Sequence, residues 1–430
     1  MPWFVHEEDA ISPATLERLA VQLVEEARQR LAPNPRRALL LPPDLTRMHS
    51  GAGRLTELIY RQLGGCETHL IPTLGQHRPH SEAENRRMFG SVPEARIHAH
   101  DWRGGVQRIG AIPARVVAEL TAGKADWEIP IDLNRSLLEE RWDLVIHVGH
   151  VVPHEVLGFA SHNKNYFIGL GGGETISAAH MAAAACGIEN NLGRLISPLR
   201  ACFNWAEERY LARLPHVYCL LVLALDEATG GLVTRGVYVG SDLETYLAAA
   251  RASARHNICR LEAPLPRVVA FMQPDEFRST WVANKAIYRA RMALADGGEL
   301  LVFAPGVERF GEQPEVDALI RQYGYKGTPA TMAAYRADPR LREYGLAAAH
   351  LMNGSSEGRF SITYAAGKLS RTEVEGVGFR YADPAATLAR YDRRQLRPGE
   401  NQLTEGERVY FIASPSLGLW TTAARLAAGA

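Results

Sequence analysis

Apolar runs followed by amphipathic helical segments recur along this chain, and this alternation is the feature that most restricts its fold. The run Arg37–Leu41 predicts a buried strand, and a helix-period segment follows it after a loop. Residues 67–74 predict the next strand and residues 80–90 the next helix, with Ser81 and Glu84 at capping-box spacing. Because this βα repetition is typical of parallel sheets covered by helices, we predict an α/β fold.

The same rhythm continues through a strand at residues 143–152 and starts again after Leu261–Arg267, where two prolines predict a linker. Beyond the linker, residues 280–294 predict one continuous helix between two further strands. A length of 430 residues also favours more than one domain. We therefore predict two domains with mainly parallel Rossmann-like sheets, residues 1–263 and residues 264–430.

The charge balance excludes several classes of protein. Lys and Arg number 48, as do Asp and Glu, so no net charge favours nucleic acid or a membrane surface. No apolar run approaches the roughly 18 residues of a membrane span, and residues 1–13 lack the basic and apolar regions of a secretory signal. The 5 cysteines are scattered without C-x-x-C spacing, which argues for a reducing compartment and against a zinc ribbon. We expect a soluble, cytoplasmic protein without nucleic-acid or membrane partners.

Lysine is rare, because arginine supplies nearly all of the 48 basic residues. An amine can lose its proton and form covalent bonds, whereas a guanidinium stays protonated. The remaining lysines are therefore candidates for amine chemistry, although for any single one of them compositional drift is the favoured explanation. They are Lys124, Lys164, Lys285, Lys326 and Lys368.

Four ionisable side chains follow three separate predicted strands. Asp44 and Arg47 follow the first, His77 follows the second, and His154 follows the strand at residues 143–152. Since parallel strands present their carboxyl ends at one edge of a sheet, we expect these side chains to converge there. An ordinary loop or capping role stays open for each of them alone.

Histidine is clustered between residues 147 and 180. No H-E-x-x-H pattern occurs, and Pro153 argues against the helix that a zinc-binding histidine pair would need. His180 lies in an alanine-rich helix, where either a buried hydrogen bond or a metal would satisfy its ring. The members of the cluster are His147, His150, His154, His162 and His180.

The glycine run Gly169–Gly173 precedes the helix that contains His180. It matches neither the P-loop nor the dinucleotide-binding pattern, so a phosphate cradle and a plain tight turn both stay open. Because no G-x-G-x-x-G opens the first helix either, a conventional nicotinamide dehydrogenase is disfavoured.

The string VVPHEVLGFASHNKNYFIGLGGGETISAAH resembles the central motif of the nickel-dependent lactate racemase family. The matching positions are Pro153–His154, Gly158–Phe159, Lys164, Gly169 and His180. Lys164 lies ten residues after His154 and His180 lies twenty-six after it, spacings that also match the family.

Three further segments carry the resemblance through the N-terminal half. DLTR, which begins at Asp44, is similar to the family's Asp-x-x-Arg loop, and GQHRP, around His77, to its G-x-His-Arg-Pro motif. The segment His100–Gly110, HDWRGGVQRIG, is similar to the family's segment between these two motifs and the central motif. Two departures stand out: the usual Gly-Phe-Ser-Gly-Gly-x-Lys is GFASHNK here, and Val282 replaces a glutamine three residues before Lys285.

The resemblance implies a racemase or epimerase that uses a nickel-pincer nucleotide, the nickel complex of pyridinium-3,5-bisthiocarboxylic acid mononucleotide. Hydride would leave C2 of a 2-hydroxy acid for the cofactor and return to either face. The resemblance also implies that residues 1–263 bind the cofactor, that the active site lies in the cleft between the domains, and that cofactor-biosynthesis enzymes are partners. The implied roles are catalysis by His77 and His154, covalent cofactor attachment by Lys164, further cofactor binding by Asp44 and Gly169, nickel ligation by His180, and substrate binding by Arg47 and Lys285.

The departures from the motif bear on the substrate. Ser161, His162 and Asn163 replace small residues, and Glu155 follows His154. Polar groups around a pocket would favour a polyhydroxylated chain, so we expect a sugar acid such as gluconate, epimerised at C2. The alternatives are that these side chains never meet the substrate, that lactate or another short-chain 2-hydroxy acid is racemised, or that the chain is a non-catalytic nickel- or nucleotide-binding member.

Overall fold

The structure is a computed structural model that describes residues 1–139, 141–226, 230–403 and 406–427. The chain forms two compact units. The first consists of Met1–Ala179 and Arg194–His256, and the second of His180–Gly193 and Asn257–Ala430.

The strands are β1 (Phe4–Glu7), β2 (Arg37–Leu41), β3 (Glu67–Leu70), β4 (Val106–Ile112), β5 (Ile129–Asn134), β6 (Leu144–His150), β7 (Pro153–His154), β8 (Gly158–Phe159), β9 (His216–Leu225), β10 (Leu232–Gly240), β11 (Ile258–Leu261), β12 (Leu265–Phe271), β13 (Leu294–Ala304), β14 (Ser361–Ala366), β15 (Arg380–Tyr381), β16 (Gly399–Gln402), β17 (Arg408–Ile412) and β18 (Leu419–Thr422).

The α-helices are α1 (Pro13–Arg30), α2 (Ala52–Gln62), α3 (Glu82–Phe89), α4 (Ala114–Leu120), α5 (Arg135–Glu139), α6 (Gly173–Cys186), α7 (Ile188–Asn191), α8 (Pro198–Tyr210), α9 (Leu243–Asn257), α10 (Thr280–Ala283), α11 (Lys285–Ala290), α12 (Pro314–Tyr323), α13 (Thr328–Ala337), α14 (Pro339–Glu343), α15 (Gly345–Asn353), α16 (Arg371–Gly376), α17 (Pro384–Arg390) and α18 (Ala423–Ala427). Among the described residues, none of these helices combines the length and the hydropathy that crossing a membrane requires.

The main sheet of the first unit has the strand order β1-β10-β9-β6-β2-β3. The pairs β9–β6, β6–β2 and β2–β3 are parallel, whereas β10 pairs antiparallel with β9 and with β1. Helices α1 and α2 bury apolar faces against this sheet, where Leu23 and Leu58 join Leu40 and Ile146 in one core. The parallel strands β6, β2 and β3 are therefore neighbours, and their carboxyl ends lie side by side.

The second unit contains a sheet of order β15-β14-β13-β12-β17-β16, parallel except for the last pair. The central strands β12 and β13 end in buried apolar runs, Val268–Phe271 and Leu300–Ala304, as expected for strand segments covered on both faces. Phe271 and Phe303 pack edge to face in the core of this unit, with their ring centroids 5.4 Å apart. The α/β prediction with mainly parallel sheets is confirmed.

Local predictions have mixed outcomes. The predicted strand Arg37–Leu41 has the bounds of β2, and Ser81 caps α3 with Glu84 in a capping box. The predicted linker Leu261–Arg267 is wrong in part, because β11 ends at Leu261 and β12 begins at Leu265. The continuous helix at residues 280–294 is also wrong: it breaks at Asn284 into α10 and α11. The domain boundary between residues 263 and 264 stays a prediction.

Candidate active site

The segments after β6, β2 and β3 carry the predicted site residues of the first unit. Asp44 begins a short 3-10 helix after β2, and His77 lies in the loop after β3. A parallel bridge between Pro43 and Thr73 continues the pairing of these two strands into their loops. The convergence expected from the strand order is therefore present for Asp44 and His77.

Asp44 and His77 are directly bonded. The Nδ1–H of His77 donates to Oδ2 of Asp44 at 2.5 Å, and the Thr46 hydroxyl donates to Oδ1 at 2.6 Å. Burial of Asp44 opposes its ionisation, but the bonds from His77 and Thr46 and the charges of His77 and Arg47 together lower the pKa of Asp44 to about 2. The His77 side chain is 62% exposed, and Asp44 orients its ring. In the neutral tautomer that donates from Nδ1, Nε2 is the proton acceptor.

Lys164 shares an electrostatic environment with Asp44. Its side chain is partly exposed. Burial of the amine and the positive charge of Arg47 lower the pKa of Lys164 to about 8, although the negative charges of Asp44 and Glu155 act in the opposite direction. An amine with this pKa is partly neutral near physiological pH, as a nucleophilic lysine must be.

His154 ends the two-residue strand β7, which pairs antiparallel with β8. The backbone N–H of Val156 donates to Nδ1 of His154 at 3.2 Å, so the neutral ring carries its proton on Nε2. His77 and His154 therefore present opposite groups at Nε2, an acceptor and a donor respectively.

The three residues before Lys164 are buried in the first unit. Ser161 and His162 have φ of 71° and 58°, and together with Asn163 they are at most 2% exposed. The His162 ring packs against Tyr218, with 4.1 Å between centroids, inside the first unit. Their burial argues against the interpretation that Ser161, His162 and Asn163 recognise a sugar chain, which stays a prediction.

Gly149 on β6 leaves room for that turn. A Cβ at Gly149 would collide with the Ser161 side chain and would lie 2.7 Å from Cε1 of His147.

We expect Gly149→Ala to lower the free energy of unfolding by about 1–3 kcal/mol through overpacking. The substitution Ser161→Gly should recover much of this loss in the double variant. Thermal unfolding of both variants tests the coupling, and Gly64→Ala, at a position with space for a methyl group, is the control. A double variant no more stable than Gly149→Ala would contradict it.

The glycine run Gly169–Gly173 serves close packing. A Cβ on Gly169 would lie 2.6 Å from Cβ of Thr73, and one on Gly173 would lie 2.9 Å from the Trp102 ring. The start of α6 also carries the carboxylate of Glu174, which accepts a hydrogen bond from Arg108 at 2.7 Å. These contacts favour the tight-turn interpretation over a phosphate cradle, because a carboxylate already lies at the helix N-terminus.

His180 and Lys285 belong to the second unit. The contacts of α6 change units between Ala179 and His180, so the helix that carries the predicted nickel ligand extends beyond the first unit. Lys285 begins α11, with Nζ 5.7 Å from the centroid of the Phe277 ring. The roles of His180 and Lys285 stay predictions.

No group of three or more His, Cys, Asp or Glu within the described ranges could hold a metal ion. A conventional zinc or iron site, which takes several protein ligands, is therefore not found in that part of the chain. The cofactor implied by the resemblance requires only one imidazole from the protein.

Part of the chain matches a known protein family. Residues 13–191 match the lactate racemase N-terminal domain. This segment contains every predicted site residue except Lys285, and it confirms the resemblance for this part of the chain. No curated protein matches the chain.

Two solved structures share the fold. A protein from Thermotoga maritima has 23% sequence identity and a TM-score of 0.79, with 96% of this chain and 99% of that one covered. The lactate racemase apoprotein from Thermoanaerobacterium thermosaccharolyticum has 15% identity and a TM-score of 0.66, with 93% and 92% covered. At these identities the likeness shows a common fold.

The sequence analysis missed three residues that contact the segment before Lys164. They project from α8: Arg200, Asn204 and Glu207. Their spacing of four and then three residues puts them on one helix face, and Arg200 lies among the buried residues Leu199 and Phe203. Polar and charged residues at helical spacing beside apolar ones are a sequence pattern that could have identified these three residues.

Proposed function

We propose that this chain is a racemase or epimerase that uses a nickel-pincer nucleotide to invert C2 of a 2-hydroxy acid. The observation that carries the proposal is the Lys164 amine, whose pKa is lowered to about 8 within the segment that matches the lactate racemase N-terminal domain. A lysine in this state is suited to permanent attachment of a cofactor.

The residues fit such a cofactor. Lys164 would hold it covalently through a thioamide, Asp44 and Gly169 would contribute to its binding, and His180 would supply the protein nitrogen to nickel. A single imidazole beside sulfur donors would suit Ni(II) better than Zn²⁺, which takes several protein ligands. When bound, the cofactor would supply an acceptor and donor of hydride for C2.

The proton chemistry falls to the two histidines. His77 would take the hydroxyl proton of one enantiomer at Nε2, because its Nδ1–H is bonded to Asp44. The charge of Asp44 stabilises the imidazolium that results, as a carboxylate partner does in other general bases. Since the pKa of Asp44 is about 2, this carboxylate stays ionised at neutral pH.

His154 would serve the opposite enantiomer. Its Nε2–H can donate to the substrate oxygen while the Val156 N–H occupies Nδ1. Arg47 would bind the substrate carboxylate, because a guanidinium forms two parallel hydrogen bonds with a carboxylate. Lys285 is proposed as a second, point-like charge for the same group.

The proposed substrate is a 2-hydroxy acid. The sugar-acid hypothesis rested on Ser161, His162, Asn163 and Glu155. The first three of these side chains are buried, and Glu155 is half-buried. We therefore expect the kcat/KM for gluconate to be no higher than that for lactate.

A panel of 2-hydroxy acids tests the proposed function. Protein made together with the cofactor-biosynthesis enzymes is incubated with lactate, malate, phenyllactate and gluconate, and inversion at C2 is followed by chiral chromatography. Inversion of at least one acid is expected. Nickel-loaded protein that inverts none of them would contradict catalysis and favour a binding role. A gluconate kcat/KM more than tenfold above that for lactate would restore the sugar-acid hypothesis.

A further inference from the structure

We propose that Arg200 and Glu207 are positioning residues for Lys164: they hold Asn163 from both ends of its amide and so fix the turn from which Lys164 projects. This inference deepens the proposed function and rests on it for the role of Lys164 as the covalent anchor. The contacts that support it all lie within the first unit.

The turn needs external support. Ser161 and His162 both adopt left-handed φ, of 71° and 58°. A side chain in this region costs on the order of 1–2 kcal/mol per residue, and it persists only where the surroundings determine the backbone. Two such residues in succession therefore imply a strong restraint nearby.

Arg200 supplies one part of that restraint. Its side chain is fully buried, and one guanidinium nitrogen donates to Oδ1 of Asn163. The other terminal nitrogen donates to the carbonyl of Phe159 at 2.7 Å and to that of Ser161 at 3.3 Å. Arg200 is thus hydrogen-bonded to the backbone of Phe159 before the turn, to the backbone of Ser161 within it, and to the side chain of Asn163 after it.

The opposite end of the Asn163 amide is held by α8 as well. Nδ2 of Asn163 donates to Oε2 of Glu207 at 2.9 Å and to Oδ1 of Asn204 at 2.8 Å. The Tyr218 hydroxyl donates to the other oxygen of Glu207. Burial raises the pKa of Glu207, although the bonds from Tyr218 and Asn163 oppose that rise. Both ends of the amide are therefore satisfied by fixed partners, and its orientation is set.

Lys164 is the next residue in the chain, so its direction depends on this turn. Burial has the largest effect on the pKa of its amine, and four charged groups also act on it: Arg47 and Arg200 are positive, and Asp44 and Glu155 are negative. If the turn loosens, the amine leaves this crowded environment and returns toward solvent. Its pKa should then rise toward the ordinary lysine value of about 10.4.

The substitution Asn163→Ala tests the proposal without changing any charge. The full chain, without cofactor, is labelled with acetic anhydride across a range of pH, and acetylation of Lys164 is quantified by peptide mass spectrometry. We expect the wild-type midpoint at about pH 8 and a rise of more than one pH unit in Asn163→Ala.

Further variants separate positioning from general stability. Glu207→Gln keeps an oxygen that can accept from Asn163 and should leave the midpoint near the wild-type value, whereas Glu207→Leu should raise it. Leu23→Ala opens the core at α1, away from the turn, and should lower stability without moving the midpoint.

An unchanged midpoint in Asn163→Ala, or an equal shift in Leu23→Ala, would overturn the proposal. The proposed function can fail separately: a midpoint that shifts as expected, in a chain that never acquires a cofactor adduct, would support positioning by Arg200 and Glu207 and refute covalent anchoring.

Discussion

Lys164→Arg, made together with the cofactor-biosynthesis enzymes, will have the mass of the bare chain, whereas the wild-type protein will gain a covalent adduct. Arginine preserves the positive charge, but its guanidinium stays protonated and cannot form the thioamide. Intact-mass spectrometry measures the difference directly. We expect complete loss of the adduct and of racemase activity.

Lys124→Arg is the matched control, because Lys124 is exposed and the substitution is chemically identical. It should load as the wild-type chain does. A Lys164→Arg protein that carries the adduct in full would show that another residue is the anchor.

The second large effect concerns proton transfer. His77→Gln and His154→Gln should each lower the rate of racemisation by about 10²–10⁴-fold, because each removes one of two groups that move the hydroxyl proton. Nickel content should stay at the wild-type value in both. His180→Ala should instead lower nickel occupancy, since this ring is the predicted protein ligand. Chiral turnover and metal analysis of the same preparations give both quantities.

Equal nickel loss in His77→Gln, His154→Gln and His180→Ala would contradict the division between bases and ligand. An Asp44→Asn variant adds a control within the His77 pair: it keeps the shape of the partner and removes its charge. We expect its activity to fall less than that of His77→Gln, because the base itself remains.

Local sequence patterns predicted the elements that depend on neighbours in the chain. The apolar run Arg37–Leu41 and the capping pair Ser81 and Glu84 specify a strand and a helix start through short-range chemistry, and the structure contains both. Strand order then brought Asp44 and His77 together, since adjacent parallel strands end at one edge.

Other features depend on contacts that no local pattern contains. Asn163 carries polar groups that could equally face a substrate or the interior, and the left-handed φ of Ser161 and His162 decided between them. The support from Arg200 comes from a helix far along the chain, so periodicity near Lys164 could not reveal it. Likewise, the break at Asn284 falls within a sequence that has helical period on both sides.

Inversion of C2 by hydride transfer is tested most directly by the fate of the hydrogen on C2. Cofactor-loaded protein is incubated with an enantiopure 2-hydroxy acid deuterated at C2, the best substrate of the panel, and the product is analysed for configuration and deuterium content. We predict inversion with deuterium retained at C2 and a primary isotope effect on the rate. Inversion accompanied by rapid exchange of the deuterium into solvent would show proton abstraction at C2 and would contradict the account.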